Sequence, residues 1–98
     1  MARLDYATTD HLSERGKKIM ERVGNKNIFR MLSHSESHLT NYCRLGNVIR
    51  DHGILDACLR ERAITRVGIQ LGADYEVIAH KAIGRRVGIP ENQIEVLE

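Results

Sequence analysis

Three side chains in the C-terminal half of the sequence have the residue types and spacing of an acid/base site. Tyr75, Glu76 and His80 lie within the stretch "LGADYEVIAHKAIGRRVGIP", residues 71–90. Glu76 and His80 are four residues apart, and residues at this spacing touch on one face of a helix. A neighbouring carboxylate orients an imidazole and favours its charged form, as a proton-transferring histidine requires. The spacing therefore predicts a Glu76/His80 pair, with the Tyr75 hydroxyl at its rim.

A third ionisable group, Glu61, lies on the preceding predicted helix. It borders an apolar stripe formed by Ile64, Val67 and Leu71. Gly68, on the same helix, lowers helix propensity by about 1 kcal/mol relative to Ala, and its benefit would be the close approach of another backbone or a ligand. Only two or three residues join the two helices. We therefore expect Glu61, Glu76 and His80 to converge on one cleft.

A purely structural interpretation of the same residues stays open. A buried Glu76/His80 pair also satisfies the rule that buried polar groups find hydrogen-bond partners. In that case Glu61 is a solvated residue at the stripe margin, near Arg62 and Arg66, and Tyr75 is an aromatic residue at the edge of the core. Spacing alone does not separate the two interpretations.

Helical periodicity dominates the chain and strand-like alternation is not sustained, so the sequence predicts an all-α fold. We expect helices over residues 11–23, 36–52, 57–71 and 74–87, a short turn over 27–32, and a last helix that begins at Pro90. The expected N-caps are Asp10, Ser35 and Asp56, and the expected stops are Gly24, Gly53, Gly72 and Gly88. The last helix is amphipathic, and we expect another subunit or a later segment to cover its apolar face.

Composition restricts the class of protein. The 98 residues suffice for one domain, 1–98, and the hydrophobic (42%) and charged (29%) fractions are typical of a globular chain. The net charge is only +2, and the basic residues are interleaved with acidic ones, so we predict no nucleic-acid partner. Apolar runs are too short for a membrane span or a signal peptide. Cys43 and Cys58 are isolated and are expected to be reduced, which favours a cytoplasmic location.

Two other patterns in the sequence compete with this site. His34 and His38 have the spacing of two helical zinc ligands, but no third ligand follows and a helix is expected to begin between them. We therefore predict no metal and no cofactor. Residues 64–89 also scan loosely as a helix-turn-helix. Asp74 and Glu76 would then face DNA phosphates, which like-charge repulsion disfavours.

The order of motifs resembles the carboxymuconolactone decarboxylase-like family, which includes alkylhydroperoxidase D. The run "LRERAI", then "ADYEVIAH", then "GIPENQI" follows the family's order and spacing. The similarity covers about residues 2–97, including the N-terminal "ARLDYA", and is clearest over 27–98. It implies an alkylhydroperoxidase D-like helical domain that forms a homo-oligomer, as a dimer, trimer or hexamer.

The resemblance also implies which residues carry the chemistry. In alkylhydroperoxidase members a C-x-x-C motif precedes the histidine, and its cysteines correspond here to Ala73 and Glu76. Because neither residue can supply a thiolate, peroxide reduction by a dithiol is not expected. The glutamate and histidine of the family correspond to Glu61 and His80. What the resemblance leaves is a cofactor-free acid/base enzyme, like the decarboxylase branch.

The resemblance therefore gives a substrate class and a set of roles. The expected substrate is a small carboxylated or lactone molecule. His80 would transfer the proton, Glu76 would orient it, and Glu61 would act as a second acid/base or polar contact. The alternative function is a non-catalytic oligomeric assembly or interaction module that keeps the family fold.

Overall fold

The computed structural model describes residues 3–98, and Ala2, where the family-like stretch begins, lies outside them. All regular structure within residues 3–98 is helical, which confirms the all-α prediction. The chain forms two compact units, residues 1–52 and 53–98. The single domain expected over 1–98 stays a prediction.

The first unit contains three helices, α1 (Glu14–Arg22), α2 (Asn27–Leu32) and α3 (Glu36–Asp51). Its core is aliphatic apart from one aromatic ring, and consists of Leu12, Met20, Phe29, Leu39 and Cys43. Ser35 caps α3 as predicted, and its hydroxyl accepts from the backbone N–H of His38. The carboxylate of Glu36 accepts from the Ser13 hydroxyl and backbone N–H, and these bonds hold the pKa of Glu36 below its usual value.

The second unit contains α4 (Ala57–Gln70), α5 (Asp74–Val87) and α6 (Glu91–Glu95). Asp56 caps α4 as predicted, accepting from the Leu59 N–H at 3.1 Å. Gly72 and Gly88 follow α4 and α5 with φ of +63° and +101°. Glycine adopts this left-handed conformation without steric cost, so α5 ends where the sequence predicts and α4 ends one residue earlier than predicted.

One expectation at the start of the chain is wrong. The first helix is capped by Ser13, not Asp10, because residues 9–12 form a turn in which the Leu12 N–H donates to the Thr9 carbonyl and Leu12 is buried. In the last helix Ile94 is buried, with 2% exposure, whereas Val96 is 79% exposed. The expected cover from another subunit or a later segment stays a prediction.

Within residues 3–98, no helix is both long and apolar enough to cross a membrane.

Candidate active site

Helices α4 and α5 form an antiparallel hairpin that positions the candidate site. Gly68, late in α4, faces Val77, early in α5, whose backbone nitrogen and side chain lie close to where a Cβ would stand. At the other end, the Cys58 thiol donates to the Val87 carbonyl at 3.4 Å. The absence of a side chain at Gly68 thus permits the close backbone approach expected from the sequence.

Glu61 lies at the centre of this hairpin and is fully buried, with 0% exposure. One carboxylate oxygen, Oε2, accepts from His80 Nδ1 at 2.6 Å, and the other, Oε1, accepts from Arg60 Nε at 2.9 Å. Gly84 of α5 lies against it, since a Cβ there would be 3.9 Å from the Glu61 Cβ. The solvated position considered for Glu61 is therefore wrong.

The hydrogen bond to Glu61 also determines which ring nitrogen of His80 carries the hydrogen. Glu61 Oε2 acting as the acceptor of this 2.6 Å contact places the shared hydrogen on Nδ1 of His80. Nε2 then faces the second carboxylate, with 3.5 Å between it and Glu76 Oε2. His80 is 15% exposed and Glu76 42%, so the inner carboxylate is fixed and the outer one has room to rotate.

The contacts of His80 differ in part from those expected from the sequence. The predicted Glu76/His80 contact exists, but the shorter contact is to Glu61, which orients the ring from the neighbouring helix. Tyr75 does not join the cluster: its side chain is half exposed on the first turn of α5, and no hydrogen bond links its hydroxyl to the other three residues in the described part of the chain.

An apolar groove of about 390 Å³ opens beside the cluster. Its lining consists of Ala63, Ile64, Val67, Gly68, Leu71, Ala73 and Glu76. Glu76 is the charged member of this set, and it is also the residue that faces His80 Nε2. A ligand in the groove would therefore touch the Glu76 side chain, whose carboxylate lies 3.5 Å from His80 Nε2.

The contribution of Arg60 could not be predicted, because adjacent residues on a helix do not face each other and spacing does not indicate a side-chain contact between Arg60 and Glu61. The groove could not be predicted either, since its lining is composed mostly of apolar residues of the kind that usually fill a core.

No protein-family model, curated protein or solved structure matches this chain.

Proposed function

We propose that this protein is a cofactor-free acid/base enzyme of the carboxymuconolactone decarboxylase-like type, with an alkylhydroperoxidase D-like fold. The observation that carries the proposal is the placement of His80 between two carboxylates, 2.6 Å from the buried Glu61 and 3.5 Å from the half-exposed Glu76. A buried acid that orients the ring and an outer acid that reaches a groove are the parts of a proton relay.

Proton transfer runs outward from the imidazole to the groove. Glu61 holds the hydrogen on Nδ1, so Nε2 is the nitrogen that exchanges a proton with Glu76. The 3.5 Å gap is longer than a hydrogen bond, and rotation of the half-exposed Glu76 side chain closes it. Glu76 then exchanges the proton with the ligand, and His80 restores the original protonation state of Glu76.

The groove lining supports a lactone as the substrate. Apart from Glu76, its lining residues are uncharged, so the body of the ligand is neutral and apolar. In lactone isomerisation, Glu76 takes a proton from one ring carbon and returns a proton to another as the double bond moves. In decarboxylation, the electrons of the broken C–C bond form an enolate as carbon dioxide leaves, and the Glu76 proton goes to the enolate carbon.

Proton exchange into a lactone tests the proposal. In D₂O, the wild-type protein should accelerate deuterium uptake and double-bond migration in a β,γ-unsaturated γ-lactone, as followed by proton NMR. Ala63→Trp should reduce the rate about tenfold or more, because the indole fills a groove of this size and excludes the ligand. Arg86→Gln, which replaces an exposed side chain at the end of α5, is the matched control and should keep the wild-type rate.

Wild-type protein that leaves the lactone unlabelled, at protein concentrations equal to the ligand's, would refute the enzymatic proposal. An equal loss of rate in Ala63→Trp and Arg86→Gln would mean that the groove is not the substrate site.

A second function, a non-catalytic assembly module, is favoured by the apolar side chains exposed in the groove. Val67 and Leu71, which both line the groove, are 53% and 77% exposed. Contiguous exposed apolar residues mark surfaces where another molecule binds. In this alternative a second copy of the chain covers the groove, and the Glu61/His80 contact only stabilises the hairpin.

Sedimentation of the Leu71→Asp variant tests the assembly. We expect the wild-type protein to form a dimer or larger oligomer, and Leu71→Asp to weaken self-association about tenfold or more, because a desolvated carboxylate in an apolar interface costs more than 1.4 kcal/mol. Ile54→Asp is the control, since Ile54 is fully exposed and outside the groove lining. A monomeric wild-type protein would refute the assembly function. Oligomers without lactone exchange would favour it over the enzyme.

A further inference from the structure

We propose that the first unit carries a binding site for a small phosphate compound with at least two negative charges, at a basic cavity between α1 and α3. The cavity has a volume of about 570 Å³. Four of its eight lining residues are cationic, namely Arg15, Lys18, Arg22 and Arg44, and none is acidic. This site is separate in sequence from the Glu61/Glu76/His80 cluster and does not depend on the proposed function.

The sequence places these cations on one side of their helices. Arg15, Lys18 and Arg22 follow one another at intervals of three and four residues along α1, which puts them on one helical face. On α3, Thr40 and Asn47 line the same cavity at the spacing of two turns. Arg15, Lys18 and Arg22 thus line the cavity from α1, and α3 contributes Arg44 together with a hydroxyl and an amide.

The side chains of the four cations are available to bind an anion. In residues 3–98, Arg15, Lys18, Arg22 and Arg44 make no ion pair and no hydrogen bond through their side chains. Arg15 interacts electrostatically with Glu36, but the Glu36 carboxylate already accepts hydrogen bonds from Ser13. Repulsion among unpaired cations around one cavity is relieved when an anion binds there.

Two of the lining residues, Ile19 and the buried Cys43, are uncharged. Burial raises the pKa of the Cys43 thiol, so the thiol is neutral at pH 7. The lining thus offers uncharged contacts beside its four cations. The cavity volume lies in the range of roughly 300–1,000 Å³ that is typical of small-molecule sites.

Phosphate chemistry fits these donors better than a single carboxylate. Arginine donates paired N–H groups to phosphate oxygens, and four cations match two or three phosphates in number. The unit as a whole has nine Lys or Arg against six Asp or Glu over residues 1–52, so the positive potential is concentrated at the cavity and not spread over a strongly basic surface. This distribution favours a compact polyanion over a nucleic acid.

Calorimetric titration of the full chain with inorganic triphosphate, and separately with ADP, tests the site. Arg22→Gln and Arg44→Gln should each weaken binding about tenfold, because each removes a charge-assisted hydrogen bond. Lys26→Gln is the matched control: it removes the same charge from an exposed residue of the same unit that does not line the cavity, and affinity should change less than about twofold. Tighter binding of ADP than of triphosphate would assign the source to a nucleotide, and the reverse to an inorganic polyphosphate.

Three results would overturn the proposal. They are the absence of binding at about 1 mM ligand, an equal loss of affinity in Lys26→Gln and in the cavity variants, and tighter binding of a single-stranded oligonucleotide that Lys26→Gln also weakens. Thermal unfolding of each variant, with a midpoint equal to that of the wild type, shows that any loss is not misfolding.

Discussion

Replacing His80 with glutamine should slow lactone deuterium exchange by about 100-fold or more, since general acid/base catalysis by a positioned side chain contributes roughly 10²–10⁴-fold. Glutamine retains an N–H donor that can reach Glu61 Oε2, so the buried carboxylate keeps a partner and the hairpin should fold. What glutamine lacks is a nitrogen that takes up and releases a proton. The measurement is the initial rate of deuterium uptake by proton NMR at equal protein concentration.

A second variant, Glu76→Gln, tests the order of proton transfer. Glu76→Gln should lose exchange to a similar extent, because Glu76 is the group that lines the groove. Ligand affinity should persist in His80→Gln, because His80 is not itself a lining residue of the groove, and so the loss should appear in kcat more than in KM. Unchanged turnover in His80→Gln would remove the imidazole from the mechanism, even if Glu76→Gln were inactive.

Helix ends in the second unit could be predicted closely because each depends on a local signal. The predicted helix 74–87 matches α5, and α4 ends one residue before the predicted position. Asp56 supplies a side-chain cap, and Gly72 and Gly88 supply the left-handed conformation that terminates a helix. These effects act within four or five residues, so the sequence contains all of the information they need.

The first unit was harder to predict because tertiary burial competes with local capping. Asp10 and Ser13 are both good N-cap residues. Burial of Leu12 selects a turn before the helix, and Ser13 becomes the cap, with its hydroxyl accepting from the Gly16 N–H. The expected turn at 27–32 is instead the short helix α2, anchored by the buried Phe29. Neither choice follows from local propensity alone.

The same division between local and long-range information applies to the candidate site. The Glu76/His80 contact follows from helical spacing and is present at 3.5 Å. The shorter Glu61/His80 bond joins residues on different helices, and its geometry depends on how closely α4 and α5 approach. Gly68 signalled that approach from the sequence, whereas Gly84, which lies against Glu61, was not recognised.

Replacing the buried Glu61 with alanine should reduce the free energy of unfolding by about 3 kcal/mol, the lower end of what breaking a buried ion pair costs. The change leaves the Arg60 guanidinium and the His80 Nδ1–H, which are 12% and 15% exposed, without the carboxylate that both contact. It also opens space beside Gly84. Urea unfolding followed by circular dichroism measures the effect, and Glu95→Ala, an exposed substitution on α6, should change stability by less than about 0.5 kcal/mol.

A double-mutant cycle separates the network from simple loss of packing. If the Glu61/His80 bond carries the cost, His80→Leu should be destabilising in the wild type and much less so when Glu61 is already leucine, because the second change then removes a group that has lost its partner. The coupling should exceed about 1 kcal/mol, since a hydrogen bond to a buried charge contributes roughly 1.5–3 kcal/mol. Additive effects would contradict this, and would mean that Glu61 stabilises the hairpin through Arg60 and packing instead of through the imidazole.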